Sequence, residues 1–247
     1  MKRTFLVILA ALTLFSAAGC NSPGAPMSYD SLMRCEKEYG IVEGDWPESF
    51  DEMWSSRVSA SLASGVVKSA KHVFGWGKGF WSLTQYEIEI TSMWDDGSEQ
   101  RLSPEEHLEK TVKAHCNDYL TFAEDEKALE FISKQLGRDV RTAEELEEES
   151  GCAYFTPVNG TEYKWWFYSY ELPMEEGEEY TFLLTMTPAY DPETGEHDYL
   201  CSYVSPKDRP LEESLTKLGM LEGFKTKGDD HMLEIADEIR LRVNGMD

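Results

Sequence analysis

Apolar and polar residues alternate most strictly at residues 86–90, where the chain reads Tyr-Glu-Ile-Glu-Ile. A period of two predicts a β-strand with one buried face and one wet face. Upstream, small and β-branched residues at 58–74 predict a second strand, and a glycine-rich stretch at 75–79 separates the two. We therefore predict strands over about residues 57–96, paired as a long hairpin.

The pattern changes to helical spacing after residue 99. Leu108, Val112 and Tyr119 lie at helical intervals, and Ser103-Pro104 ahead of them is a strong helix start. Capping signals recur up to residue 150. We expect a helical insertion over about residues 99–151.

Strand patterns return at about residues 152–204, and Asn159-Gly160 within them is the strongest short-range hairpin signal. Apolar residues at helical spacing then predict a C-terminal helix over about residues 229–243. Because strands and helices come in runs and do not alternate, the predicted fold class is α+β, with residues 28–247 forming a single domain.

The segment 162–172 is the most aromatic of the chain. Side chains alternate along a strand, so the rings at positions 163, 165 and 167 share one face and those at 166, 168 and 170 share the other. We expect one set to pack in a β-barrel core and the other to meet the helical insertion. An exposed set would suit a sugar or a protein partner. The candidate ligand residues are Trp165, Trp166, Tyr168 and Tyr170.

The charge of the chain excludes one class of partner. Its net charge is −24, with 47 acidic and 23 basic residues, and no basic cluster interrupts the acidic surface. Such a surface repels nucleic-acid phosphates, so we expect no nucleic-acid binding. Aromatic residues at 12% and hydrophobic residues at 41% also exclude global disorder.

The sequence contains no assembled catalytic or ligand-binding motif. It lacks a His-Glu-x-x-His zinc motif, a Gly-x-Ser-x-Gly elbow, and Walker or Rossmann spacings. We therefore expect no cofactor and no metal, and favour a non-catalytic binding or interaction module whose partner is a protein or a glycan. A hydrolase whose carboxylates are dispersed in sequence stays open as the alternative.

The first twenty residues carry an export signal. Lys2 and Arg3 precede an apolar run, and small residues then lead into Gly19-Cys20. This resembles the signal of bacterial lipoproteins, in which the cysteine receives a diacylglyceryl group and becomes the new N-terminus. The resemblance implies a signal peptide over residues 1–19 and a lipidated Cys20 followed by a linker to residue 27. It also implies anchorage at the extracytoplasmic face of the cell membrane.

One position departs from the lipoprotein pattern. Ala17 stands three residues before the cysteine, where the family prefers leucine. Cleavage after Ala18 or Gly19, which would give a secreted protein, is the alternative. In either case the signal removes two basic residues and leaves the mature chain at a net charge of −26.

A second resemblance concerns the strands. Three segments carry it: Val58-Ser-Ala-Ser-Leu-Ala-Ser-Gly-Val-Val, Leu83-Thr-Gln-Tyr-Glu-Ile-Glu-Ile and Gly177-Glu-Glu-Tyr-Thr-Phe-Leu-Leu. Together, residues 50–96 and 152–204 resemble exported bacterial domains with an OB-like barrel of the tissue-inhibitor type. The resemblance implies a small antiparallel OB-like barrel or curled sheet, with residues 99–151 inserted into it. It also raises a peptidase-inhibitor-like module as an alternative function.

With Cys20 lipidated, four cysteines remain, and they allow three pairings. Cys152 and Cys201 flank the strand-rich region, so we predict a bridge between them, which leaves Cys35 to pair with Cys116. Four buried thiols are the alternative.

The lipoprotein interpretation predicts the effect of a single substitution. Cys20→Ala should release the protein from the membrane fraction, because acyl-chain burial is the only membrane-binding contribution that the sequence offers. Fractionation followed by immunoblotting measures the release. Mass spectrometry showing an unmodified cysteine at the mature wild-type N-terminus would contradict the interpretation.

Overall fold

The structure is a computed structural model. It describes residues 24–40, 47–57, 59–77, 79–94, 102–116, 118–122, 130, 133–134, 137, 139, 153–155, 157–168, 172–190, 197–226 and 230–245.

Nine strands lie within these ranges: β1 Glu36–Gly40, β2 Ala60–Gly77, β3 Gly79–Trp94, β4 Thr111–Cys116, β5 Asp118–Phe122, β6 Ala153–Phe155, β7 Tyr163–Tyr168, β8 Glu179–Tyr190 and β9 His197–Pro206. Six helices lie there as well: α1 Tyr29–Leu32, α2 Phe50–Ser56, α3 Pro104–His107, α4 Leu211–Lys217, α5 Leu221–Thr226 and α6 Asp230–Asn244. Among the described residues, no helix is long and apolar enough to cross a membrane.

The chain folds as two compact units. The first comprises residues 1–36, 72–82 and 121–164, and the second comprises residues 37–71, 83–120 and 165–247.

In the first unit, the far end of β2 pairs antiparallel with β6, with Phe74 opposite Phe155. The predicted turn at Asn159-Gly160 is present, and Gly160 adopts the positive φ of 89° that such a turn requires. Asn159 exchanges backbone hydrogen bonds with the N-terminal segment, accepting from Gly24 and donating to Ala25, each at 2.8 Å. These bonds hold the predicted linker, at Gly24 and Ala25, against the turn.

The second unit contains a closed β-barrel, and the α+β prediction with a barrel is confirmed. Its five strands form the ring β2-β3-β4-β9-β8, and β2 closes the ring by pairing with both β3 and β8. The β3–β4, β8–β9 and β2–β8 pairs are antiparallel, but β4 and β9 run parallel. The barrel is therefore mixed, and the prediction of an antiparallel one is wrong for that pair. Strands β1, β7 and β5 form a separate three-stranded sheet in that order.

Alternate residues of each barrel strand fill its core, as the period of two requires. On β3 the inward residues are Tyr86, Ile88 and Ile90, each no more than 1% exposed. Gly65 lets β2 pass close to β3, because a Cβ there would lie 2.8 Å from the carbonyl oxygen of Glu89. The core of the barrel is thus built from the same alternating residues that predicted the hairpin.

The prediction of a helical insertion is wrong for residues 111–116 and 118–122, which form β4 and β5. Val112 fits a helical interval, but Val112, Ala114 and Cys116 also alternate with polar residues, and this second pattern is the one that the fold uses. Each of the three is buried, and β4 pairs with β3 over its full length. Tertiary pairing has overridden the local helical signal. Residues 140–151, the predicted acidic end of the insertion, lie outside the described residues.

The predicted C-terminal helix is present as α6 and covers one side of the barrel. It packs on β8 and β9, and its buried residues are Met232, Ile235, Ala236, Ile239 and Val243. Between β9 and α6 lie two further helices, α4 and α5.

A buried carboxylate joins barrel strand β3 to strand β7. Asp118 is only 4% exposed, and its Oδ1 accepts the backbone N–H of Thr84 at 2.7 Å. Its Oδ2 accepts the indole Nε1–H of Trp165 at 2.6 Å and also the Thr84 hydroxyl. Thr84 and Trp165 are each 0% exposed. Buried charge is tolerated only when donors surround it, and here three donors converge on one carboxylate.

Removal of this carboxylate should weaken the fold. We expect Asp118→Ala to lower the free energy of unfolding by about 3 kcal/mol, because it removes an acceptor that three buried donors share. Urea denaturation measures the difference. Asp208→Ala is the control, since Asp208 is an exposed carboxylate and should change stability by no more than about 0.5 kcal/mol. Equal stability of the two variants would contradict the assigned role of Asp118.

Candidate functional site

A cleft of about 210 Å³ lies in the second unit, where β2, β3, β4 and β9 come together. Four neighbouring strands contribute to its walls, so residues far apart in sequence meet there. The lining residues are Ser69, Ala70, Lys71, Gln85, Tyr86, Glu87, Lys113, Ala114, His115 and Asp198.

The polar lining follows from strand alternation. Tyr86 and Ala114 point into the barrel, so their neighbours along β3 and β4 point outward. The antiparallel register places Glu87 opposite Lys113 and Gln85 opposite His115. Two cross-strand pairs thus form a polar outer face, with opposite charges in one pair.

Strand β9 brings a second carboxylate to the cleft. Because β9 runs parallel to β4, Leu200 lies opposite His115, and Asp198 comes two residues earlier on the same face. Asp198 is half-buried and its charge acts on the His115 imidazole. The cleft therefore holds one imidazole beside carboxylates from two different strands.

Hydrogen bonds orient the wall that β2 forms. The Ser69 hydroxyl donates to Oε2 of Glu87 at 2.9 Å, which joins β2 to β3 at the cleft. The backbone N–H of Ala70 donates to Oε1 of Glu176 at 2.9 Å. The Glu87 carboxylate is thus held by a neighbouring strand and faces a lysine in register.

Burial lowers the pKa of His115 from its ordinary value of 6.5. Asp198 and, to a smaller extent, Asp118 act in the opposite direction, because a nearby negative charge stabilises the imidazolium. Desolvation prevails over both carboxylates, so the imidazole is neutral at pH 7 and can both donate and accept a hydrogen bond.

The aromatic strand β7 is buried on the face that carries Trp165 and Phe167. Trp165 and Phe167 are each 0% exposed, and β7 belongs to the three-stranded sheet and not to the barrel. Full burial leaves Trp165 no surface for a ligand, and its β7 strand is not one of the five that form the barrel. Trp166 is half-buried, whereas Tyr170 and the side chain of Tyr168 lie outside the described residues.

The predicted disulfides are not formed in this structure. Cys35, Cys116 and Cys201 are thiols, so neither the Cys35–Cys116 nor the Cys152–Cys201 bridge is present. Cys152 and the predicted lipidation site Cys20 lie outside the described residues. Cys116 and Cys201 fill the barrel core, each no more than 1% exposed.

The cleft residues carried a weak signal in the sequence. The alternation at 86–90 places Glu87 on the wet face, but nothing local says that Lys113 or Asp198 would join it. Within the described part of the chain, no three His, Cys, Asp or Glu side chains are grouped as metal ligands would be.

No protein-family model, curated protein or solved structure matches this chain.

The electrostatics of the cleft predict how His115 titrates. Its NMR-monitored midpoint should lie below 6.5, and Asp198→Asn should lower it further, because the Asp198 charge raises the pKa. Asp208→Asn, on the exposed surface, should leave the midpoint unchanged. Since the folded chain binds this proton less tightly than the unfolded chain, His115 should reduce stability as the pH falls below about 6.5. A midpoint at or above 6.5 would contradict the assignment.

Proposed function

We propose that this protein is an exported lipoprotein, anchored through Cys20 at the extracytoplasmic face of the membrane, that binds a hydroxyl-rich ligand such as an oligosaccharide. The cleft formed by β2, β3, β4 and β9 is its binding site. The observation that carries the proposal is the convergence of charged and polar side chains from four strands on one outer face of the barrel.

We propose further that the barrel is OB-like. Its five strands close a ring in which the first strand meets the fourth and the third runs parallel to the fifth. OB folds bind oligonucleotides and oligosaccharides on the face of their second and third strands. Here those strands are β3 and β4, which contribute six of the ten lining residues of the cleft. The place of the cleft in the ring therefore supports binding.

Charge decides between the two ligand classes. A mature chain of net charge −26 repels an oligonucleotide, which leaves the oligosaccharide. Hydroxyl groups both donate and accept hydrogen bonds, and the cleft offers both partners: ammonium groups at Lys71 and Lys113 as donors, and carboxylates at Glu87 and Asp198 as acceptors. A neutral imidazole at His115 can serve either role.

A hydrolase is the second candidate function. Glu87 and Asp198 are 111 positions apart in the sequence, yet the fold brings both to one cleft together with His115. Paired carboxylates are the groups that cleave glycosidic bonds, one as acid and the other as base or nucleophile. The same ligand would then be a substrate, and product formation separates the two functions. The peptidase-inhibitor alternative rests on fold analogy alone.

Matched substitutions on β3 test the binding site. Glu87→Gln should weaken oligosaccharide affinity by about tenfold or more, because it removes a charged acceptor from the cleft. Glu89→Gln is the control: Glu89 faces outward on the same strand but pairs with Lys68 and does not line the cleft. Screening of an oligosaccharide panel, followed by isothermal titration calorimetry of any binder, gives the affinities.

The same experiment distinguishes the two functions. Wild-type protein that binds a saccharide and leaves it intact supports the binding module, and cleavage that is lost in Glu87→Gln supports the hydrolase. Equal oligosaccharide affinity of Glu87→Gln and Glu89→Gln would show that the cleft is not the binding site. Binding of no saccharide would overturn the proposed ligand class.

A further inference from the structure

Two buried cysteines, Cys116 and Cys201, lie on the neighbouring barrel strands β4 and β9. The parallel register of β4 and β9 places Ala114 opposite Tyr199 and His115 opposite Leu200. Extension of this register by one residue would place Cys116 opposite Cys201. Their exposed fractions are 1% and 0%.

The side chains of these cysteines point into the same space. On β3, Thr84 lies opposite Cys116, and on β8, Leu184 lies opposite Cys201. Thr84 and Leu184 are both 0% exposed. Paired residues on neighbouring strands project to the same face of a sheet, so the four side chains form one layer of the barrel.

The spacing of the two strands suits a covalent bond. Neighbouring strands lie about 4.7–4.9 Å apart, and disulfides join residues whose Cα atoms are about 4.4–6.8 Å apart. Cys116 and Cys201 also belong to the same compact unit, whereas Cys35 belongs to the other. Both residues are thiols in this structure. We propose that oxidation converts Cys116 and Cys201 to a disulfide that locks the parallel β4–β9 pair, in place of the pairings that the sequence favours.

The bond forms by thiol–disulfide exchange with a disulfide oxidant. One cysteine thiolate attacks the oxidant, which releases a thiolate and leaves a mixed disulfide; the second cysteine thiolate then displaces the remaining oxidant sulfur. Two protons leave the protein, and two electrons pass to the oxidant, which is reduced to two thiols. Because both sulfurs are buried in the finished barrel, the exchange takes place during folding.

The proposal depends on the proposed function only for the oxidising compartment that export provides. The bond itself can be tested on purified protein without a membrane or a ligand. A missing bond in vitro therefore counts against the pairing, whereas retention of the protein in the cytoplasm would count against export.

The test is refolding of the purified mature chain from urea in a buffer of oxidised and reduced glutathione. After alkylation of remaining thiols and digestion, mass spectrometry should find the Cys116 peptide linked to the Cys201 peptide. A double variant, Cys35→Ala with Cys152→Ala, should keep this link. Its melting temperature should fall by about 5–15 °C when dithiothreitol is added.

The reciprocal variant keeps the test decisive. The double variant Cys116→Ala with Cys201→Ala should lack the linked peptide. If it folds, dithiothreitol should lower its melting temperature less than it lowers that of the variant Cys35→Ala with Cys152→Ala. Alkylation of both Cys116 and Cys201 in the refolded wild-type chain would overturn the proposal. Recovery of either residue linked to Cys35 or Cys152 as the dominant product would overturn it as well.

Discussion

The Asp118 carboxylate is buried where water cannot solvate it, and three protein donors replace that water. Two of the donors belong to Thr84 on β3, and the third is the indole of Trp165 on β7. A buried carboxylate that loses its donors is costly, so these hydrogen bonds hold Thr84 and Trp165 in position around it. Asp118 is the first residue of β5, two positions after the end of β4, and its bonds to Thr84 tie it to β3.

The cleft depends on this fixed point. Thr84 is paired with Cys116, and the pairs Gln85–His115 and Glu87–Lys113 follow in the same register. A slip of one residue would exchange the buried and the outward faces and would turn Glu87 and Lys113 into the core. The polar face therefore depends on the register between β3 and β4. The buried residues that alternate with the outward ones on these strands exclude any other register.

The sequence predicted those features of the fold that depend on residues close together in the chain. The alternation at 86–90 gave strand β3 and the outward position of Glu87, and Asn159-Gly160 gave its turn. Val112 contributed to a wrong prediction of helix, because its position fits both a helical and a strand period. Only the pairing of β4 with β3 decides between the two. The neighbourhood of His115 and Asp198 could not be predicted, since it arises from the parallel β4–β9 pair. The partners of Asp118 lie 34 and 47 residues away along the chain, which is farther than a helical or strand period reaches.

Hydrogen exchange of two N–H groups tests the central claim, that a buried carboxylate fixes these strands. The backbone amide of Thr84 and the indole N–H of Trp165 should persist in D2O among the slowest-exchanging protons of the protein, because both donate to Asp118 in a water-excluded site. The indole of half-buried Trp54 provides the internal comparison and should exchange faster. Loss of the Thr84 and Trp165 signals within minutes, at the rate of exposed groups, would contradict the account.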